Sequence, residues 1–480
     1  MSVDDYGAVG DGIADDTAAI QAAVDAADAQ TPVIFTAGKI YLVTASDAGF
    51  TYGNKTTVVY RALNIDKINL TIIGNGATIR LRGLDNPIDD EINYVFSTQK
   101  NMVSDAIFGI SVAGLNFDFN KALVDGAAGS NYRSFHVVGC KGFTVEDCNF
   151  YSSGSRYGAT ITVQNASNIR FSGLKFTNTT QGINFSFVDV VEFENLQFDN
   201  FSEAIDFDRQ VHNVTASGIK FFSSTAGRAG QCWDLNSVTN VHIRDITASH
   251  AGNVFLINYK STTPENYAKY VNDDAPINLT PSVNVTIDGA TITDCGPGDV
   301  AIAVQDSHGI AGACHDVTLR NITMVNSGSL GIYPGENVIV ENVTITGALS
   351  LAGASFGAIY VLRGVDVNSV ASATLRNIDV DGCSGIGLRT SVTASLIIEN
   401  LAVHNFGSQF GVDIQAVPNG GIVDINGISI THDMPVSQGA MRLTKGVDSD
   451  VVNATFSGTN ISGSNLTPQW STNTSIPSPF

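Results

Sequence analysis

Charge is what this sequence has least of. Only 15% of its 480 residues are Asp, Glu, Lys or Arg, against roughly 25% in an ordinary soluble domain. Bases are rarer than acids, 25 against 46, for a formal net charge of −21. The acidity therefore comes from missing Lys and Arg rather than from acidic blocks. Without basic surface to neutralise phosphates, sequence-independent nucleic-acid binding is excluded as a function class. No long apolar run is present, which excludes a membrane-spanning helix. The six cysteines (Cys140, Cys148, Cys232, Cys295, Cys314 and Cys383) form no CxxC pair and no Cys/His metal spacing. They are expected to be free, packed thiols. The histidines show no HxH or HExxH spacing, so no zinc site is expected. Met1-Ser2-Val3-Asp4-Asp5-Tyr6 offers neither a basic nor an apolar leader region, so no secretory signal is expected at this start.

What the chain does have is 47 glycines and many Asn, Ser, Thr, Val and Ile. That composition reads as β-rich with frequent tight turns. A short phrase recurs, with apolar and polar residues alternating on both sides of a Gly or Asn. Asn168-Ile169-Arg170-Phe171-Ser172-Gly173-Leu174 is one copy, and Asn213–Ile219, Asn240–Ile246, Asn284–Ala290 and Asn337–Val343 are others. The residue opening each phrase falls at Gly142, Asn168, Asp189, Asn213, Asn240, Asn284, Asp316, Asn337, Ser372, Ser395, Gly421 and Asp450, at intervals of 21 to 44 residues. Intervals in the low twenties suit one turn of three short strands, and the longer ones suit turns with inserted loops. Period-2 alternation repeated at this length predicts an all-β parallel β-helix, each turn stacked on the last. A sandwich of hairpins would need frequent two-residue Asn-Gly or Asp-Gly turns, which are rare here. The sequons at Asn213 and Asn284 coincide with the opening residues and are read as architecture, because Asn tolerates unusual backbone angles.

A solenoid must cover its first open turn. Asp15-Asp16-Thr17 precedes an Ala-rich segment with Ile20, Val24 and Ala27 on one stripe, which predicts a capping α-helix. The stretch Asp5-Tyr6-Gly7-Ala8-Val9-Gly10-Asp11-Gly12-Ile13-Ala14-Asp15-Asp16-Thr17, with that helix, resembles the opening of the pectate-lyase-like superfamily. Pectate lyases, polygalacturonases, mannuronan epimerases and many phage tailspikes belong to it. The resemblance implies a right-handed parallel β-helix and activity on carbohydrate, with Asp11, Gly12, Asp15 and Asp16 as residues of the cap. The expected organisation is a cap over 1–45, a β-helix over 46–460 with a loop inserted at 261–281, and an extended tail over 461–480.

A second alternating strand precedes each phrase, and aligned turns stack these strands into one column. Ile183/Phe185, Ile205/Phe207, Trp233/Leu235 and Ile257/Tyr259 are expected to point inward. Asn184/Ser186, Asp206/Asp208, Asp234/Asn236 and Asn258/Lys260 are then expected outward on four consecutive turns. Three Asp on two adjacent turns need a reason, because strands disfavour Asp and like charges opposite one another repel. Asp206 and Asp208 would share a face about 6.5–7 Å apart at the α-carbons, with Asp234 about 4.8 Å away on the next turn. Carboxylates at such spacing suit general acid, general base or nucleophile in glycoside cleavage. Asp206, Asp208 and Asp234 are the candidate catalytic residues. Polygalacturonases, within the resembled superfamily, also present three Asp from adjacent turns of the equivalent column. The candidate substrate-binding residues are Asn184, Arg209, Asn236, Asn258, Lys260, Gln305, Tyr333 and Tyr360, with Tyr267 and Tyr270 of the long loop as a groove wall. No cofactor or metal is expected, Ca²⁺ on the three Asp being the alternative, because no DxDxDG loop accompanies them.

The reading that follows is a polysaccharide depolymerase of glycoside hydrolase type. The alternatives are a polysaccharide lyase or uronan epimerase, and a non-catalytic fibre or adhesin that binds glycan. The expected partner is a polysaccharide, with the strong negative charge favouring a neutral or weakly charged one. The expected location is extracellular or on a virion tail, and the resemblance to tailspikes implies a homotrimer attached to a virion.

Overall fold

The computed structural model describes residues 1–51, 58–82, 91–98, 107–119, 132–152, 159–223, 230–258, 281–296, 300–305, 314–333, 335–349, 357–362, 371–391, 393–407, 410–415, 422–433, 439–444 and 453–462. Lys260, Tyr267, Tyr270, nearly all of the 261–281 loop and most of the expected tail lie outside the described residues. The chain divides into two compact units, residues 1–224 with 262–278, and 225–261 with 279–480. Both are built from parallel strands winding in the β-helix that the repeats predict, with the right hand that the family resemblance implies.

The first unit opens on the expected cap. Ser2 Oγ accepts from the Asp4 amide and the Asp5 carboxylate accepts from the Ser2 amide, closing a short 3₁₀ turn at Val3–Tyr6. The Asp16 carboxylate takes the amides of Val9 (2.6 Å) and Gly10 (3.2 Å). Asp11 takes those of Ile13 and Ala14, and these two bonds hold its carboxyl below the usual range. The α-helix Thr17–Ala26 buries Ile20, Ala23 and Val24. The carboxylates of this opening motif thus serve the local backbone.

Beyond the cap, strands stack in three parallel columns. One runs through Val58–Asn64, Glu91–Ser97, Tyr132–Val138 and Ile161–Ser172 into Lys175–Glu194 and Gln197–Ser217. Another passes through Asn116–Asp118, Asn149–Tyr151 and the starts of the two long strands to Lys220–Phe222. Its inward position holds phenylalanine at five levels. The rings of Phe117, Phe150, Phe176, Phe198 and Phe221 follow one another at centroid distances of 5.1, 4.7, 4.5 and 5.3 Å, stacked with nearly parallel planes throughout. Identical rings recur because parallel in-register strands place the same inward position above itself at every turn.

The long strands keep their hydrogen bonding round a corner by placing one residue at positive φ. Asn168 and Asn213 do this at the corner next to the site column. Between them the sequence suggested Asp189, but the register aligns Ser167 with Asp189 and Ile169 with Val191, so the corner residue is Val190, at φ 58°. A β-branched side chain is strained there, and Val190 is 43% exposed, so it gains little burial in return. Val190→Asn is expected to raise the unfolding free energy by about 1 kcal/mol in urea titration. An unchanged or lowered value would show that the valine is not strained.

In the second unit, eight short strands from Gln231–Asn236 to Gly439–Thr444 make one column. Longer strands from Val238–Ser249 to Asn453–Ser462 make its neighbour. Corners here form a ladder of side-chain amides. Asn400 donates to Asn377 (3.1 Å), Asn377 to Asn342 (3.0 Å), Asn342 to Asn321 (3.2 Å) and Asn321 to Asp288 (2.7 Å). The sequon asparagines Asn213 and Asn284 are corner residues of this kind. Asn213 donates to Asp189 and Asn284 to Asn240. One residue before the ladder, charges alternate in register from Arg244 through Asp288, Arg320, Glu341 and Arg376 to Glu399. Asp288–Arg320 and Arg376–Glu399 close as ion pairs at 2.7 and 2.6 Å. All six cysteines are free and buried, as expected, and burial pushes the Cys140 and Cys148 thiols up to about 12.

Candidate functional site

Ile183, Phe185, Ile205 and Phe207 are all fully buried, which turns the residues between them to the outer face. The register then continues one outward position through five strands: Ser97, His136, Thr162, Asn184 and Asp206. Asp206 is only 9% exposed. Its Oδ2 accepts from Asn184 Nδ2 at 2.8 Å and from Gln181 Nε2 at 3.2 Å. The same Gln181 nitrogen donates to Glu203 Oε2 at 2.8 Å. Gln181 and Glu203 are themselves in register, and the Gln181 carbonyl is fixed by the amide and hydroxyl of Thr160, both at 2.9 Å. Asp206 is therefore a carboxylate whose orientation is set by two side-chain amides on the preceding strand. Such a group can act on a bound partner without first having to reorient.

Asp208 sits differently from the position its alternation predicts. Phe185 pairs with Phe207, but Ser186 pairs with Arg209, so Asp208 is the extra residue of a bulge. Its half-exposed carboxylate meets Arg209 Nε at 3.4 Å. Arg209, a candidate substrate-binding residue, takes the column position in place of Asp208 and is largely buried. The oxygens that Glu203 and Asp206 turn toward each other already receive the Gln181 amide.

Three rungs before Asp206 lies a buried polar group that alternation alone does not mark. His136 is wholly buried, with Nδ1 3.3 Å from Ser97 Oγ and its ring 5.0 Å from that of Tyr94. The Tyr94 hydroxyl contacts Thr162 Oγ1 at 3.1 Å and accepts from Arg133 Nη1 at 3.3 Å. Burial, and secondarily the Arg133 charge, lower the His136 pKa to about 3, so its ring is neutral. Continuing the column alignment upstream of Thr160 would have found it.

The second unit holds the remaining candidates. Asp234, Asn236 and Asn258 are buried to within 2%. Asn236 Nδ2 donates to Asp234 Oδ1 at 2.7 Å, and Asn236 lies in register with Asn258. Asp234 is followed along its column by Leu256, Ala303, Gly331, Tyr360, Arg389, Asp413 and Arg442. Gln305 and Tyr333 share the position two residues further along the strand. Tyr360 does not project as a free sugar platform. Its ring lies over Gly331, where a Cβ would come within 2.5 Å of it, and its hydroxyl donates to Tyr333 at 2.7 Å, leaving Tyr360 1% exposed. Tyr333 is half-buried beside it. At the far end, the wholly buried Asp413 is held by Arg442 at 2.8 and 2.6 Å and by Gln415 at 2.7 Å.

These features define a parallel β-helix protein with an ordered carboxylate on an outward column. Residues 1–230, just under half the chain, match the family model described as rhamnogalacturonase A/epimerase, pectate lyase-like. The pectate-lyase-like resemblance of the opening motif thus holds over the part of the chain that carries it. No curated protein matches the chain. Among solved structures, the chain is similar to the A-module of mannuronan C-5 epimerase AlgE4 from Azotobacter vinelandii, at 16% identity and TM-score 0.44, covering 98% of this chain and 99% of that one. It is also similar to PfbA, a surface adhesin of Streptococcus pneumoniae, at 16% identity and TM-score 0.39 over 97% and 91% of the two chains. The catalytic domain of a GH87 α-1,3-glucanase in complex with nigerose is 15% identical, with TM-score 0.44 over 78% and 64%. Likenesses at this level carry no statement about activity.

Proposed function

We propose that this chain is a carbohydrate-active enzyme, a glycoside hydrolase that cleaves polysaccharide on the outward column, with Asp206 as a reacting carboxylate. Asp234 is the other proposed catalytic residue, whereas Asp208, displaced by the bulge and facing Arg209, is not retained in that role. The observation that carries the reading is Asp206 itself, a nine-tenths-buried carboxylate on an outward strand position, oriented by Asn184 and Gln181. Nothing in strand architecture calls for a charge there, since the next rung could hold another amide as the preceding one does. Carboxylates fixed and partly desolvated in this way are the groups that protonate a glycosidic oxygen, activate water or attack the anomeric carbon. The pectate-lyase-like family match over residues 1–230 supports carbohydrate as the substrate class.

The test is digestion of a panel of neutral and acidic polysaccharides by the wild type, Asp206→Asn and Asp234→Asn. Reducing ends and the ultraviolet absorbance of unsaturated uronates are read together. Reducing ends without absorbance, falling at least ~100-fold in Asp206→Asn, are expected. Absorbance would make the chain a lyase. Folded wild type that releases nothing from any glycan would make it a binding protein.

A further inference from the structure

The residue that decides how Asp206 is presented is Gln181. Its amide orientation is unambiguous, because both facing atoms are carboxylate oxygens, which only accept, so Nε2 and not Oε1 must point at them. That nitrogen carries two hydrogens and meets two acceptors, Glu203 Oε2 at 2.8 Å and Asp206 Oδ2 at 3.2 Å. The backbone of Gln181 is pinned by Thr160. Asp208, two residues beyond Asp206 on the same strand, is taken out of the column by the bulge and faces Arg209.

We propose that Gln181 is a positioning residue that clamps Glu203 beside Asp206, making Glu203 rather than Asp208 the partner carboxylate on this strand; the proposal rests on the hydrolase reading above. Two carboxylates facing each other repel unless a donor stands between them. One neutral amide supplies a hydrogen to each, and it adds no positive charge that would tie either acid up as a salt bridge. Glu203 is half-buried and so remains within reach of a bound glycan. An asparagine in place of Gln181 would offer the same amide one methylene short of both acids.

Two measurements test this. The first is urea unfolding of Gln181→Met, Glu203→Gln and the double variant. The expected result is a lowered midpoint in Gln181→Met, where two carboxylates face each other without a donor, and recovery of most of that loss in the double variant. Additive losses would overturn the clamp, since a residue that merely packs is not rescued by neutralising its neighbour. The second is steady-state kinetics on the panel glycan that the wild type degrades. Gln181→Met and Gln181→Asn are expected to lower kcat about 10-fold or more with KM unchanged, and Glu203→Gln to lower kcat further. A raised KM with unchanged kcat would make Gln181 a substrate ligand and overturn the proposal. Full activity in Glu203→Gln would overturn the role of Glu203. If Asp206→Asn stays active, or no glycan is degraded, the hydrolase reading fails, while the unfolding cycle still decides whether the clamp exists.

Discussion

Replacing Phe176 by alanine is expected to cost about 3–5 kcal/mol of unfolding free energy. The ring is fully buried between Phe150 at 4.7 Å and Phe198 at 4.5 Å, with interplanar angles of 16° and 5°. Deleting it removes the transfer free energy of a large side chain. It also leaves a cavity that the neighbours cannot easily close, because each is held at its level by backbone hydrogen bonds to the strands above and below. Phe176→Leu keeps most of the volume and is expected to lose less than half as much. Urea titration of both variants is the check. A loss below about 1 kcal/mol for alanine would mean that the stack relaxes along its axis, which strand register should forbid.

The second large effect is a pH dependence centred on His136. In the unfolded chain this side chain takes up a proton near its ordinary value of 6.5, whereas in the fold burial lowers that value to about 3. Between these limits the unfolded state binds the proton and the native state does not, so stability rises with pH. The contribution is intact above about pH 6.5. It declines as pH falls, by up to about 1.4 kcal/mol per unit, and levels off near pH 3, a total on the order of 5 kcal/mol. His136→Gln removes the titration. The difference between wild type and variant should therefore slope across pH 6.5 to 4 and be flat above about pH 7. Acids held below their usual value, such as Asp11 and Asp288, begin to act near pH 5 but titrate alike in both proteins, so they cancel from the difference. Parallel stability curves for the two proteins between pH 7 and 4 would show that the imidazole is protonated in the fold.

Much of the architecture was legible because it rests on periodicity. The inward pairs from Ile183/Phe185 to Trp233/Leu235, the helix over Thr17–Ala26 and the asparagine corners all follow from alternation, capping chemistry and tolerance of positive φ. The departures are all places where one residue breaks local propensity for a reason held by its neighbours in space. Val190 occupies a corner that asparagine fills on either side, so composition pointed one residue too early. Asp208 preserves perfect alternation on paper, and only the pairing of Ser186 with Arg209 reveals the bulge. Tyr360 reads as an outward aromatic, yet the missing side chain of Gly331 on the preceding strand lets its ring lie down. Gln181 and Glu203 were passed over because each begins its strand segment before the alternation that marks the column. Their meeting depends on the amide reaching across to the following turn.

The alternating charges beside the asparagine ladder also limit how a solenoid of this kind can change length. Each rung from Arg244 to Glu399 is opposite in sign to the next. The amide ladder is indifferent to the number of turns, since any asparagine can donate to any other. The charges are not. Removing the turn that carries Arg320 would seat Asp288 against Glu341, and removing the one with Glu341 would seat Arg320 against Arg376. Loss or duplication of a pair of turns leaves every contact attractive. Growth in this region therefore obeys a parity rule: the structural repeat is one turn, but the unit that can be added or deleted without electrostatic conflict is two.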